Sequence, residues 1–270
     1  MGRQRAHRLY PSDLTDEEWR VVKPHIPVKT GRGKGRGRPR ILSMRAVLNA
    51  LFYLERTGCQ WDYLPRTYPK RSSVRYYYDA WRTDGTWEQI NTALRERVRK
   101  DAGKEPEPSA AIIDSQSVKT TEVGGKKGYD AGKKVKGRKR HIAVDTLGLL
   151  LVVFVHAASI QDRDGACDVF QRLSERFTRL KLIWADGGYA GQLVDLVRRW
   201  WRYTLEVIKR SDDVKDFVVL PKRWIVERTF AWLCRNRRLS KDYERLPSSS
   251  ETVVYLASIR MMIRRLAKAS

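Results

Sequence analysis

Two apolar runs in this chain each end in an aspartate. Ala110 to Ile113 leads directly into Asp114, and Leu180 to Ala185 into Asp186. A third acid, Glu227, stands near the start of the stretch Pro221 to Glu244, PKRWIVERTFAWLCRNRRLSKDYE, otherwise crowded with aromatic and basic residues. Side chains at the ends of neighbouring strands can meet, and a helix packed on the sheet can bring a third acid to them. Carboxylates brought that close repel one another unless a cation lies between them. Hard oxygen donors with no Cys or His cluster nearby favour Mg²⁺ or Mn²⁺. Two such ions about 4 Å apart can activate a water or a 3′-hydroxyl and stabilise the leaving oxygen of a phosphodiester. Each acid also has an ordinary reading. A strand-end Asp is commonly a turn former or helix cap, and Glu227 fits the positive end of a helix with Arg223 at i−4. Asp145, Asp162 and Asp164 read as turn and cap residues. The lone His141 reads as structural or DNA-facing.

The pattern around Glu227 predicts one helix over Pro221 to Glu244. Val226, Phe230 and Leu233 form its buried stripe, and Glu227 beside that stripe is expected to turn its carboxylate toward the protein body. Asp114 and Asp186 require strands beneath them. Strands His141 to Val144, Leu149 to Val155 and Leu205 to Ile208 are expected with them, joined by a turn at Asp145 to Gly148 and interspersed with helices. The basic, Gly-rich segment Gly124 to Arg140 reads as a DNA-gripping loop, with steep salt dependence as the consequence. Its alternative is a mobile surface loop. Ser248 to Glu251 is expected to cap a last helix.

The first hundred residues are of another kind. Thr15 and Glu18 make a capping box, with Leu14 as a staple. Residues 29–40, KTGRGKGRGRPR, form a flexible basic linker whose Arg36 and Arg38 resemble a minor-groove hook. Ser43 to Arg56, a helix capped by Ser72 or Ser73, and Trp87 to Arg99 give a short-helix, tight-turn pattern. That pattern suits a helix-turn-helix-like module, with Arg71 and Arg75 on the face that would enter a major groove. An all-α packing unit with basic surfaces is the plainer alternative. The polar stretch Asp101 to Ser109 is the best boundary in the chain.

Charge narrows the partner. Fifty-five Lys and Arg against 31 Asp and Glu give the 270 residues a formal charge of +24, spread along the whole chain. Such an excess favours a polyanion, nucleic acid first, over a membrane surface. The apolar run Leu147 to Ala158 is too short to span a bilayer. The three cysteines are far apart and fit neither a zinc cluster nor a disulfide framework. A reducing cytoplasm is the expectation.

AAIIDSQSVKT, LIWADGGYAG and RWIVERTFAWLCRNRRLSKDYE resemble the three signature blocks of bacterial insertion-sequence transposases of the DDE class, in the IS5-like group. LTDEEW, GRPR and GCQWDYLP strengthen the likeness, which spans nearly the whole chain. It implies an α/β fold: a ribonuclease-H-like mixed sheet flanked by helices over residues 110–270, behind an N-terminal all-α helix-turn-helix-like DNA-binding domain over 1–100. It also implies Asp114, Asp186 and Glu227 as an acidic triad holding two Mg²⁺ or Mn²⁺ ions. The implied reaction cuts double-stranded DNA at terminal inverted repeats and joins the freed 3′-hydroxyls to a target, with a homodimer when two ends are synapsed. The wider superfamily spaces a Tyr, an Arg and a Lys around the Glu as Y-x₂-R-x₃-E-x₆-K. Arg223 matches, whereas Leu220 replaces the Tyr and Cys234 the Lys, with Arg235 and Arg238 near enough to substitute. Expected DNA contacts are Arg36, Arg38, Arg71, Arg75, Lys133, Lys134, Lys136, Arg138, Arg223, Arg235 and Arg238. A related nuclease unable to join ends, or a catalytically silent DNA-binding derivative, are the alternatives.

Overall fold

The computed structural model describes residues 9–27, 42–208 and 222–269. Arg36, Arg38 and Leu220 therefore lie outside the described residues. The sheet is mixed, and its order follows from three hairpin-type pairings and two crossovers. Strands β1 (Ala110–Lys119), β2 (Gly128–Asp130), β3 (Val135–Asp145), β4 (Leu150–Ala157), β5 (Leu182–Ala185) and β6 (Thr204–Val207) run β2-β3-β1-β5-β6, with β4 also paired to β3. β3 is antiparallel to β1, β2 and β4, and β5 is parallel to β1 and β6. The helices α5 (Asp162–Arg176) and α6 (Gln192–Trp200) supply the crossovers that parallel pairing demands.

Alternation along the strands divides the core in two. Ala111, Ile113, Leu151, Ile183 and Ala185 face α5 and α6. Ile112, Ile142, Val153 and Trp184 face the other way, toward α7 (Trp224–Leu233) and α8 (Pro247–Ala269). By the two-residue period of a strand, Asp114 continues the face of Ile112, and Asp186 that of Trp184. Both aspartates thus leave the sheet on the side of α7.

The N-terminal helices α1 (Asp16–Val22), α2 (Met44–Thr57), α3 (Arg71–Thr83) and α4 (Thr86–Asp101) pack against α8 and share one hydrophobic core with that side of the sheet. The Thr15–Glu18 capping box forms. Its Glu18 also receives Arg260 of α8 at 3.0 Å, so a local cap doubles as a long-range anchor. α2 is capped by Ser43, which accepts the Ala46 amide, and stops at Gly58 in the left-handed region (φ 70°), where an added Cβ would lie 3.1–3.3 Å from Arg237 and Arg238.

Several boundaries differ from expectation for identifiable reasons. α3 starts at Arg71, so Ser72 and Ser73 lie inside its first turn and neither caps it. α8 starts at Pro247, and Glu251 accepts the Val155 amide of β4 at 3.0 Å instead of closing a capping box. The helix expected over Pro221 to Glu244 is interrupted: α7 ends at Leu233, and a single 3-10 turn, Arg237–Leu239, follows. The unwound chain beyond it supplies main-chain acceptors to β3. Arg140 donates to the carbonyls of Leu239 (2.7 Å) and Lys241 (2.9 Å), and Arg138 to those of Glu244 and Arg245 (2.7 Å each). A continuing helix would have kept most of those carbonyls for itself. Likewise, Gly124 to Arg140 is not one loop. It contains β2 and half of β3, and Arg138, Lys139 and Arg140 are buried.

Candidate active site

Asp114 lies within β1 opposite Ile142, and its Oδ1 accepts the amide of Ser115 at 2.7 Å. Asp186 follows β5, parallel to β1 and next to it, and caps the turn Gly187–Tyr189 through Gly188 N–H at 2.9 Å. The two acids feel each other. Burial, joined by the charge of Asp186, pushes the Asp114 carboxyl up to about 6, although the Ser115 amide, Lys133 and Arg223 act to lower it. Glu227 occupies the first turn of α7. Its side chain is 51% exposed, so it lies on the rim of the site instead of pointing into the protein body as its sequence neighbours suggest.

Arg223 joins the set. Its guanidinium is 3.3 Å from Glu227 Oε1 and 3.7 Å from Asp186 Oδ2, and is 19% exposed. The i−4 pair with Glu227 is thus real, but the same guanidinium also bridges to a sheet acid. Lys133 approaches from the other side, donating to Ser115 O (3.1 Å) and Oγ (3.3 Å).

Beneath Asp114 lies a group that the sequence reading assigned to a helix start. Asp162 does begin α5, after Gln161. Its carboxylate also accepts Ser115 Oγ (2.8 Å) and Lys139 Nζ (2.9 Å), with His141 Nε2 at 3.6 Å. Burial opposes its charge, but the nearby His141 ring and the bonds from Lys139 and Ser115 outweigh burial and hold the carboxyl well below the usual range. Tyr189, fully buried beside Asp114, Asp162 and Asp186, has its hydroxyl pushed up by burial and by those charges. His141 is internal to β3 and buried, its ring centroid 4.9 Å from that of His156, which burial lowers to about 4. Only the adjacency of Ser115 to Asp114 hinted at this cluster in the sequence.

The expected DNA contacts sort by accessibility. Lys133, Lys134 and Lys136 are exposed on the β2–β3 hairpin beside the site, and Arg235 is exposed just past α7. Arg71 is exposed but paired with Asp62. Arg75 pairs with Asp79 at 2.7 Å and stacks on Trp61. Two assignments are corrected. Arg138 has no exposed surface, and its donors are taken by Asp242 and three main-chain carbonyls. Arg238 is 5% exposed and bonds Glu244 at 2.6 Å and the Cys59 carbonyl at 2.9 Å. A cation whose donors are already satisfied inside the protein has none left for a phosphate.

Among the described residues, no three His, Cys, Asp or Glu side chains stand close enough to hold a metal ion as they are. The donor set nevertheless fits a hard divalent cation. All three ligating groups would be carboxylates. A bound cation would offset both the burial that chiefly raises Asp114 and the lesser repulsion from Asp186, and a positive group, Arg223, already lies within 4 Å of Asp186 and Glu227. No described helix is long and apolar enough to cross a membrane.

Comparison with known proteins identifies the family. Residues 105–262, which contain all three acids, match the family described as the transposase DDE domain. Residues 14–91 match the one described as a putative transposase of the IS4/5 family. An uncharacterized 16.2 kDa protein of insertion element IS402 from Burkholderia cepacia is 30% identical over 118 residues, covering 43% of this chain and 78% of that relative. With the match to the catalytic family extending over more than half its length, this chain belongs to the DDE transposases, of the IS4/5 type.

Proposed function

We propose that the chain is the transposase of a bacterial insertion sequence, cutting duplex DNA at the element's terminal inverted repeats and joining the 3′-hydroxyl ends to a target. The observation that supports this reading is that Asp114 lies within β1 and Asp186 just past the adjacent parallel β5, both on the side of α7, with Arg223 linking Asp186 to Glu227. Asp114, Asp186 and Glu227 would hold two Mg²⁺ or Mn²⁺ ions, which supply activation of the attacking oxygen and stabilisation of the leaving one. With its carboxyl near 6, Asp114 is largely ionised at neutral pH and available as a ligand. Arg223 and Lys133 stand beside the same acids, where each can leave its present acceptor for a non-bridging phosphate oxygen. Lys134, Lys136 and Arg235 extend the positive surface away from the acids, and α3 with Arg71 and Arg75 is assigned to the end-recognition surface. Two copies would hold two ends together.

The test is cleavage and joining of a labelled terminal-repeat duplex with Mg²⁺. Asp114→Asn, Asp186→Asn and Glu227→Gln should each lower cleavage by at least about 10³-fold while end binding persists. Normal cutting by Glu227→Gln would remove Glu227 from the triad. A pre-cut 3′-hydroxyl end that is bound but never joined would indicate a nuclease without strand transfer.

A further inference from the structure

Away from the acids, a cleft of 260 Å³ opens between the end of α2, the turn that closes α7 and the last turns of α8. Arg56, Arg235, Arg264 and Arg265 are exposed around it, and Trp232 and Met261 line its wall. A hollow of 150 Å³ adjoins it, sharing Arg56, Arg260 and Arg264 and reaching the buried Glu55. Acids facing these cations are few. Glu18 takes Arg260 at 3.0 Å and Arg264 at 3.7 Å. Burial pushes the Glu55 carboxyl up to about 8 in spite of Arg260, Arg56 and Arg264, so it adds little negative charge at neutral pH. Arg235 and Arg265 have no acidic partner among the described residues, and the buried Nη2 of Arg260 has no hydrogen-bond partner. Next to the cleft, Arg228 lies between Trp224 (4.5 Å) and Trp232 (4.4 Å) and is exposed to the charge of Arg265.

We propose that this cleft binds the phosphodiester backbone of duplex DNA, on Arg235 and Arg265 with Trp232 as its wall. Like charges gathered without an anion between them are unfavourable, and a phosphate removes that repulsion while supplying acceptors to donors that lack them. A second copy of a chain carrying +24 would bring more of the same charge to this face. The location also suits a strand continuing from the acids. Gln116, two residues beyond Asp114 on β1, contacts Cys234 at 3.5 Å, which ties the end of α7 to the same side of the sheet. At the helical rise, Glu227 to Arg235 spans about 12 Å, or roughly three to four nucleotides of duplex. The proposal rests on the DNA-processing reading above.

The experiment measures anisotropy of a fluorescent random-sequence duplex of about 30 base pairs with the full-length chain in EDTA, across a salt series. Each phosphate contact contributes about 0.9 to the slope of log K against log salt, or roughly 8-fold in affinity near 0.1 M salt. Arg235→Ala with Arg265→Ala should therefore weaken binding by roughly 60-fold and flatten the slope by about 2. The corresponding Arg→Lys pair should keep the slope. The control pair Arg198→Ala with Arg199→Ala, on the exposed side of α6, should change little. Equal losses in the control pair would reduce the effect to bulk charge and overturn the site. So would an unchanged slope in a double variant that melts like wild type, or loss of a dimer in place of DNA affinity. In those three outcomes the wild type still binds DNA, and the transposase reading stands. A wild-type chain that binds no duplex would overturn both.

Discussion

Arg138 separates structure from function most sharply, because its place in a basic, glycine-rich segment suggests DNA while its surroundings do not. Its side chain has no exposed surface and faces Asp242, equally buried, at 3.2 Å. Its Nε, Nη1 and Nη2 each donate at 2.7 Å, to the carbonyls of Lys126, Glu244 and Arg245. Arg138→Ala would leave Asp242 charged and buried and three carbonyls short of a donor. Removing one partner of a buried pair typically costs about 3–5 kcal/mol, a large part of the roughly 5–15 kcal/mol that holds a domain folded. At about 2–4 °C per kcal/mol for a chain near this size, Tm should fall by roughly 6–20 °C. Asp242→Asn keeps a single oxygen, enough for Arg138 or for the Glu244 amide (3.0 Å from Asp242 Oδ1) but not both, and turns an NH2 on the other donor, so it too should lower Tm. The assay is thermal unfolding in parallel with DNA-binding salt slopes measured below the lower Tm. A buried Arg138 leaves the slope of the folded fraction unchanged. A variant that melts like wild type but binds DNA roughly 8-fold more weakly, with the slope flattened by about 1, would refute the burial argument outright.

Two further outcomes follow from the same coordinates. Asp114 has a folded pKa raised from 3.8 to about 6. Its ionisation therefore opposes folding of the metal-free chain, and the stability present below pH 4 is lost as pH rises through 6. Asp114→Asn should raise metal-free stability at pH 7 by at most about 3 kcal/mol, less after solvent screening, with no gain at pH 3; urea midpoints at the two pH values check this. Gly137 on β3 lets the chain pass so close to β1 that an added Cβ would fall 1.9 Å from the Val118 carbonyl oxygen. Gly137→Ala should cost about 3 kcal/mol or more by forcing the strands apart, read as a lowered unfolding midpoint.

What the sequence revealed and what it concealed divide along the range of the interactions. Asp114 and Asp186 were legible because each directly follows a strand's apolar run, and strand alternation then fixes the face each one takes, although β1 runs on past Asp114 to Lys119 instead of ending there. α2 and α4 were legible for the same reason, through local periodicity and turn residues. The basic residues were not. Lys136, Arg138 and Arg140 look alike in a composition, yet Lys136 is exposed while the other two are buried. The difference comes from carbonyls roughly a hundred positions away, at Leu239, Lys241, Glu244 and Arg245. Those carbonyls exist as acceptors only because α7 stops at Leu233, so one non-local exchange defeated two expectations: the long helix and the basic loop. Asp162 was misjudged in a complementary way. Its place at the start of α5 is real, but a helix start accounts only for its backbone, while Ser115, Lys139 and His141 account for its carboxylate. Long-range pairing of charge, which a one-dimensional pattern does not carry, separates a DNA-facing cation from a buried one and a cap from part of a site. The net charge of +24 is therefore a poor guide to a DNA surface, and the proposed one rests instead on Arg235 and Arg265, which have no acidic partner among the described residues.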